Sequence, residues 1–246
     1  MRHAILTIAC LVLNQCAYAV TGNAPPAQGY TARAIVMIID PRGDLCTGTA
    51  IARDLVLTAA HCVAAQRDYR VKIFQTGETA FVHAIAVHPL FKRASYAASR
   101  ATADVALIKL SLPLTDLIAP AKLSPPHRVG VGEMLTIAGF GVTAAGTDHG
   151  LGVPRMATLA ITGKPGSLQI RLVDPATRDA RTGLGACTGD SGAPAFDPVS
   201  ETLLGVVSWS TAPGDEEGCG GLTGVTPLLL YRDWIIDGAR RFNSPL

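Results

Sequence analysis

The chain has 246 residues and a formal net charge of +2, and 48% of its residues are hydrophobic. This length suffices for one large domain or for two small barrels that share a core. The nearly neutral charge and the lack of a Lys/Arg cluster exclude the basic surface that nucleic-acid-binding proteins use, so no nucleic-acid partner is expected.

The first nineteen residues have the pattern of an export signal. Arg2 precedes the apolar run AILTIACLVL, which is too short to span a bilayer as a helix. A small-x-small pattern then ends at Ala19, after which a signal peptidase would cut. We therefore predict a signal peptide over 1–19 and a mature chain over 20–246 that is secreted or periplasmic and has no membrane segment. A buried N-terminal helix is the alternative, and a lipid anchor on Cys16 is disfavoured by the bulky glutamine before it.

The cysteine content agrees with export. Two of the six cysteines, Cys10 and Cys16, would leave with the signal peptide. The even number that remains favours two disulfides in an oxidising compartment, and three pairings are possible. No cysteine pair has metal-site spacing near a histidine pair, so we predict no metal and no cofactor. The remaining cysteines are Cys46, Cys62, Cys187 and Cys219.

Short strand-like segments recur along the chain and are separated by turn residues such as DPRGD, SLP and GKPG. Many short strands without a βαβ rhythm predict an all-β barrel or sandwich. The Pro-rich stretch SPPHRVG (124–130) would connect two halves. The exception is LLLYRDWIIDGARR, where helical spacing and terminal basic residues predict a C-terminal helix. The strand-like segments are 34–39, 71–74, 80–88, 104–110, 134–140, 155–161, 168–173 and 203–210.

The stretch GACTGDSGAP raises the question of whether Ser191 is a nucleophile. A serine hydroxyl needs a base within hydrogen-bond reach, and the base needs an orienting acid. His61, in LTAAHCVAA, suits the first role. Asp104 opens an apolar strand, where its buried carboxylate would need a hydrogen bond such as an imidazole N–H supplies. The N–H groups of Gly189 and Ser191 could form an oxyanion hole.

The motifs TAAHC, DVALIKL and GDSGAP occur in the order His, Asp, Ser, and with them the sequence resembles the chymotrypsin/trypsin family of secreted serine endopeptidases. The resemblance covers essentially the whole mature chain. It implies two antiparallel six-stranded β-barrels with a crossover near 120–132, the site between the barrels, and a C-terminal α-helix. It implies peptide-bond hydrolysis through an acyl-enzyme, with His61, Asp104 and Ser191 as the triad.

Further expectations accompany this resemblance. The expected disulfides are Cys46–Cys62, beneath His61, and Cys187–Cys219, between the nucleophile loop and the pocket entrance. The expected partners are protein or peptide substrates and a protein inhibitor, and the protein is expected to be a monomer. A catalytically silent binding protein on the same scaffold is the alternative function.

The residues that match the family's substrate pocket are neutral. Trypsin-like members carry an acidic residue six positions before the nucleophile, and this chain has Gly185 there. A buried basic side chain would lack its partner, so we predict an uncharged, apolar residue before the cleaved bond. The acidic loop 215–217 could fold inward or remain solvated. The pocket residues are Gly185, Ala186, Ser208, Trp209, Ser210 and Gly224, and the acidic ones are Asp215, Glu216 and Glu217.

Two departures from the family pattern affect loops rather than the triad. The disulfide that usually ties the loop before the pocket has no cysteines here, so we expect the loop over 172–186 to be more mobile. The acidic cluster of the calcium loop is missing, and Glu78 stands nearly alone in its place. We therefore predict no calcium site.

The resemblance also implies an activation step. In the family, a newly cut apolar N-terminus pairs its amine with the aspartate before the nucleophile, which is Asp190 here. The start VTGN, from Val20, resembles the family's N-terminus. Because signal cleavage after Ala19 would expose Val20, we predict that signal peptidase makes the activating cut and that no propeptide exists. A frayed tail at VTGN is the alternative.

Overall fold

The computed structural model describes residues 20–65, 67–164 and 167–246. The predicted signal peptide, with Cys10 and Cys16, lies outside the described residues. Within the described ranges, no helix is both long enough and apolar enough to cross a membrane.

The first half of the chain forms a closed antiparallel barrel in the strand order β1-β2-β3-β6-β5-β4. Most of its strands are buried on both faces, because one face lines the barrel and the other packs against neighbouring elements. Strand β5 begins with alternating exposed and partly buried residues, as expected for a strand with one face toward solvent. The strands are β1 (Ile35–Ile39), β2 (Leu45–Ala52), β3 (Leu55–Thr58), β4 (Arg70–Lys72), β5 (Thr79–Val87) and β6 (Ala106–Leu110).

The second half repeats this architecture in the closed order β10-β11-β12-β9-β8-β7. Strand β11 pairs with β12, and a register shift between Val207 and Trp209 leaves Ser208 between them outside the ladder. The strands are β7 (Met134–Gly139), β8 (Arg155–Gly163), β9 (Ile170–Val173), β10 (Pro194–Phe196), β11 (Leu203–Ser210) and β12 (Thr223–Pro227).

Four α-helices complete the described part of the chain, and the last one packs where the barrels meet. Ile235 of this helix lies in one hydrophobic cluster with Leu107 of the first barrel and Phe196 of the second. The barrels are joined through residues 111–133. Within that connection, Leu123 forms an isolated β-bridge with Leu203 of β11. The helices are α1 (Gly29–Ala34), α2 (Ala60–Val63), α3 (Arg93–Ala97) and α4 (Arg232–Arg241).

The predicted architecture of two six-stranded barrels with a C-terminal helix is confirmed. The differences are local. The segment over 104–110 becomes a strand only from Ala106, because the N–H groups of Asp104 and Val105 bond to carbonyls two residues earlier in a turn. The helical pattern over 228–241 is a 3₁₀ turn, Leu228–Leu230, followed by α4. Strands β2, β3, β10 and β12 lie outside the strand-like segments, and β3 and β10 are too short to show a period of two.

Candidate active site

His61 is held at the start of the short helix α2. The two alanines before it are fully buried, and their small side chains let the turn pack closely beneath the first barrel. A disulfide between Cys46 and Cys62 ties α2 to β2, with an S–S distance of 2.05 Å. Helix α2 is thus held by β3, which precedes it in the chain, and by the disulfide to β2. The His61 side chain is 15% exposed.

Asp104 lies in the turn before β6, and its side chain is 1% exposed. Its Oδ1 accepts the backbone N–H of His61 at 2.9 Å, and its Oδ2 lies 2.8 Å from His61 Nδ1. The Ser208 hydroxyl donates to the same Oδ2 at 2.6 Å. These donors compensate the burial of the carboxylate. They also orient the imidazole so that Nδ1 carries the proton and Nε2 is free to act as a base.

Ser191 lies in a tight loop of the second barrel and packs against the first. Its carbonyl accepts the N–H of Thr47 at 2.8 Å. At the next residue, Gly192, φ is +83°, and an added Cβ would be 2.1 Å from Thr58 Oγ1, so only glycine fits. Cys62 Sγ lies 3.7 Å from the Ser191 carbonyl oxygen and 3.8 Å from His61 Nε2. Ser191 and His61 therefore flank the same sulfur atom, although among the described residues no hydrogen bond joins their side chains.

Gly189 has the geometry expected of an oxyanion-hole residue. Its φ is +96°, and an added Cβ would be 2.8 Å from Gly141 Cα. Its carbonyl turns inward and accepts the Thr47 hydroxyl at 2.9 Å. In the described part of the chain, neither the Gly189 N–H nor the Ser191 N–H donates to a protein group. Both donors are therefore available to a ligand oxygen.

Asp190, between these two residues, is fully buried. Its carboxylate accepts the N–H groups of Gly141 and Cys187, each at 2.9 Å. Burial nevertheless raises the pKa of Asp190 to about 7, because the two hydrogen bonds only partly offset the loss of solvation. No ion pair reaches this carboxylate within the described residues.

The chain matches the family model described as Trypsin over residues 21–235. It belongs to the trypsin family of serine endopeptidases. It is 28% identical over 229 residues to snake venom serine protease rhinocerase 4 of Bitis rhinoceros, covering 87% of this chain and 86% of that protein. It is 29% identical over 210 residues to the vitellin-degrading protease of Bombyx mori, covering 77% and 74%.

Solved structures show the same fold. HL collagenase superposes with a TM-score of 0.69 at 24% identity, covering 89% of this chain and 98% of that one. A mutant of human heparin binding protein superposes with a TM-score of 0.73 at 21% identity, covering 92% and 99%. Identities this low relate the folds and carry no argument about activity.

The residues predicted to form the substrate pocket lie together in this protease, but one of them fills part of the space. Ala186 N–H donates to Thr223 Oγ1 at 2.9 Å, which fixes the pocket base against β12. The Trp209 indole lies directly over Gly224, where an added Cβ would be 1.9 Å from indole Cε2. A substrate side chain that used the space beside Gly224 would have to displace this indole.

The acidic entrance loop does not bury its acidic residues. Its acidic side chains are exposed to solvent. A second disulfide, Cys187–Cys219, links this loop to the nucleophile loop with a Cα–Cα distance of 4.9 Å. In the loop over 172–186, which lacks the family's disulfide, Asp174 accepts the N–H groups of Ala176 and Leu184 at 2.8 and 2.9 Å. The exposed acidic residues are Asp215, Glu216 and Glu217.

Tyr96 is a site residue that the sequence reasoning missed. Its ring stacks on the His61 imidazole, with centroids 4.2 Å apart and an interplanar angle of 12°. Its hydroxyl donates to the Ser208 carbonyl at 3.4 Å. Burial, and then the charge of Asp104, raises the pKa of Tyr96, so the phenol remains a donor. The only signal in the sequence was an aromatic residue in the segment before Asp104.

One cluster in the described residues has donor atoms close enough for a metal. Cys46, His61 and Cys62 offer atoms within 4.8 Å of one another. The two cysteines are joined in a disulfide and have no thiolate to offer, so this group does not suit a metal ion.

Proposed function

We propose that this protease is secreted and cleaves peptide bonds with His61, Asp104 and Ser191 as its catalytic triad. The observation that carries the proposal is the buried hydrogen bond between His61 Nδ1 and Asp104 Oδ2, at 2.8 Å. A buried carboxylate that accepts this N–H is the arrangement that makes an imidazole a directed base. Its Nε2 is beside the disulfide that also contacts Ser191.

The three triad side chains and two backbone N–H groups share the steps of the proposed reaction. Ser191 Oγ attacks the peptide carbonyl while His61 Nε2 takes the hydroxyl proton. Asp104 stabilises the imidazolium that forms, and the N–H groups of Gly189 and Ser191 bind the oxyanion. His61 then gives its proton to the leaving amine, and water releases the acyl group from Ser191 by the same route.

A fluorophosphonate probe tests this assignment. We expect the folded enzyme, beginning at Val20, to be labelled on Ser191, as located by peptide mass mapping. Heat-unfolded enzyme and the His61→Ala variant are the controls, and both should remain unlabelled because the activated hydroxyl is lost. Labelling at another serine, or none, would contradict the assignment. The absence of any labelling would also favour the alternative of a catalytically silent binding protein, which no observation favours at present.

We also propose that the enzyme prefers an uncharged, apolar residue before the cleaved bond. The support is the absence of any acidic side chain among the six pocket residues and the exposure of all three acidic side chains in the entrance loop. A substrate Arg or Lys would lose its hydration there without gaining a partner. The indole over Gly224 narrows the pocket further.

Cleavage profiling of a mixed peptide pool checks this preference. We expect cleavage after apolar residues to exceed cleavage after Arg or Lys by at least about tenfold, since an unpaired buried charge costs several kcal/mol. The variant in which all three acidic residues of the 215–217 loop are changed to amides is the matched control. It should leave the profile unchanged, because those side chains are in solvent. Dominant cleavage after Arg or Lys would contradict the proposal.

Tyr96 should restrict substrate access beside His61, because its ring covers one face of the imidazole. In addition, its hydroxyl donates a hydrogen bond to the Ser208 carbonyl. An extended peptide pairing with this edge of β11 would need that carbonyl. We expect Tyr96→Ala to lower KM about threefold to tenfold for peptides with a bulky residue second before the cleaved bond. Tyr96→Phe, which keeps the ring and loses the hydroxyl, should give a smaller decrease. An unchanged KM in both variants would contradict this role.

The activation step is proposed to pair the Val20 amine with Asp190. Val20 is fully buried in one cluster with Ala186 and Ala193, and Thr21 N–H donates to the Gly185 carbonyl at 3.1 Å. In the uncut chain, Val20 has a φ of 49°, which is a strained conformation for a β-branched residue. In a chain that begins at Val20, no peptide bond precedes this residue, so the strain is removed. The carboxylate of Asp190 has no other cation to pair with among the described residues.

The location and partners follow from the same proposal. A secreted enzyme agrees with the signal-like residues 1–19 and with the two disulfides. Its substrates are proteins or peptides, which the family membership implies. A protein inhibitor as a further partner, and a monomeric state, are proposed with it.

A further inference from the structure

A charged pocket that His61 helps to line lies apart from the residues assigned to the substrate pocket. It has a volume of about 200 Å³. The disulfide-bonded Cys46 and Cys62 form its wall next to the catalytic residues, and none of the six substrate-pocket residues lines it. Its charged side chains are those of Asp40, Arg42, Asp44, Arg67 and Arg93.

Two of the arginines are held in place by Asp40. Arg67 pairs with Asp40 Oδ2, and Arg42 pairs with the same oxygen at 3.3 Å and with Asp44 at 2.6 Å. Burial opposes ionisation of Asp40, but hydrogen bonds from the Arg42 and Asp44 N–H groups and from both guanidinium groups outweigh it. The pKa of Asp40 therefore lies below its ordinary value, and it remains an anion. This carboxylate is already neutralised within the protein.

Arg93 is different, because its side chain makes no ion pair within the described residues. It is the first residue of α3 and is exposed to solvent at the rim of the pocket. Burial raises the pKa of Tyr69, another residue of the wall, and the positive charge of Arg93 is among the weaker influences that oppose this rise. Three guanidinium groups therefore face two carboxylates, which leaves one positive charge unmatched. The five N–H donors of Arg93 suit a carboxylate in particular.

The place of the pocket identifies the part of the substrate that would reach it. The acyl part of the substrate remains with the Ser191 side of the cleft, whereas the leaving amine takes its proton from His61. The chain beyond that amine must pass His61 and the Cys46–Cys62 disulfide, whose Sγ is 3.8 Å from Nε2. The first residues after the cleaved bond therefore meet the charged pocket.

We propose that this pocket binds an acidic side chain of the substrate, one or two residues after the cleaved bond, and that Arg93 is its main contact. The inference rests on the proposed endopeptidase function and adds the class of peptide that the enzyme cleaves best. An Asp or Glu carboxylate there completes the charge balance of the pocket. A Lys or Arg side chain meets uncompensated positive charge.

Internally quenched peptides test the proposal. They share all residues up to the cleaved bond and carry Glu, Gln or Lys at the first or second position after it. At low salt we expect kcat/KM for Glu to exceed that for Gln by about threefold to tenfold, with Lys below Gln. The ratio should decrease in about 0.5 M NaCl, since a partly exposed ion pair is screened.

Arg93→Gln is the decisive variant. Arg93 is exposed and has no ion pair, so its loss leaves no buried charge unpaired. In Arg93→Gln, we expect the ratio of kcat/KM for the Glu peptide to that for the Gln peptide to fall to about 1. In Arg93→Glu, we expect kcat/KM for the Glu peptide to fall below that for the Lys peptide. Arg100→Gln is the matched control, because it removes the same charge from an exposed site in the same segment outside the pocket. It should keep the parental ratio.

The outcomes separate this inference from the proposed function. Enzyme that fluorophosphonate labels on Ser191 but that cleaves the Glu, Gln and Lys peptides equally overturns the inference alone. A Glu preference that Arg93→Gln and Arg100→Gln both retain also overturns it. Enzyme that is not labelled and cleaves no peptide means that the proposed function itself has failed, and the inference fails with it.

Discussion

Asp104→Asn should lower kcat by about 10⁴-fold in the processed enzyme, the magnitude known for this change in a trypsin-type triad. The reason lies in the three donors that converge on the carboxylate: the backbone N–H of His61, its Nδ1–H and the Ser208 hydroxyl. An asparagine side chain has a single acceptor oxygen, so its NH₂ group must face a donor or bond to a bare Nδ1. In the second case the imidazole proton moves to Nε2, and the base for Ser191 is lost.

The measurement is kcat on a peptide substrate, normalised by circular dichroism to the amount of folded protein. Ser208→Ala is the matched control, since it removes one donor to Asp104 and leaves the tautomer of His61 unchanged. We expect it to cost roughly ten- to a hundredfold, in line with one hydrogen bond to a charged group. An Asp104→Asn enzyme that retains more than a tenth of the parental kcat would exclude Asp104 from the triad.

The second large effect concerns the N-terminus. An enzyme that retains one or two residues before Val20 should have roughly 10²- to 10³-fold lower activity than the enzyme that begins at Val20. Without a free amine at Val20, the carboxylate of Asp190 has no cation partner, and removing one member of a buried pair costs about 3–5 kcal/mol. This strain falls on the loop that holds Gly189 and Ser191. N-terminal sequencing of the active enzyme identifies the start, and a start well beyond Val20 would contradict the proposal.

Asp190→Asn provides the matching variant. If the amine and the carboxylate act as one pair, Asp190→Asn and the N-terminal extension should each reduce activity, and combining them should reduce it little further. Independent, additive losses would show that the extension acts by some other route. Gly22→Ala should lower the activity of both the extended enzyme and the enzyme that begins at Val20. Gly22 has a φ of +85°, and an added Cβ would be 2.4 Å from the Gly183 carbonyl.

The pH dependence of thermal stability should also differ between the N-terminally extended enzyme and the enzyme that begins at Val20. In the uncut chain the pKa of Asp190 is about 7, above its ordinary value near 4. A carboxyl group with a raised pKa stabilises the folded state below the unfolded pKa, and that stability is lost as the pH rises through about 7. The extended form should therefore have a lower Tm at pH 8 than at pH 5. The form that begins at Val20 should not show this decrease, because its amine keeps Asp190 ionised.

Much of the fold followed from local patterns. The strand-like segments became strands with shifts of one to a few residues, because a barrel buries apolar side chains along each strand and turn residues must separate them. The C-terminal helix followed from its helical spacing. What these patterns missed were β2, β3, β10 and β12, of which β3 and β10 are only four and three residues long. Elements this short are specified by their partners in the sheet rather than by their own sequence.

The candidate site divides in a similar way. His61, Asp104 and Ser191 could be proposed from their motifs, since the chemistry of an activated serine demands those residue types. The contacts of Tyr96 with His61, of Trp209 with Gly224, and of Arg93 with the charged pocket could not. Each depends on where a side chain of α3 or β11 lies against a residue that is distant in the sequence or on a neighbouring strand, and no local pattern encodes that position.

The sequence by itself therefore determined the fold class, the family and the residues proposed for the chemistry, because short motifs and periodic burial carry that information. The tertiary structure alone decided what surrounds those residues. It buried Asp190 without a cation, placed Tyr96 on the imidazole and assembled three arginines beside the disulfide. These features arise where the two barrels and their loops meet. Their energies depend on distance, burial and charge balance, which exist only once the chain is folded.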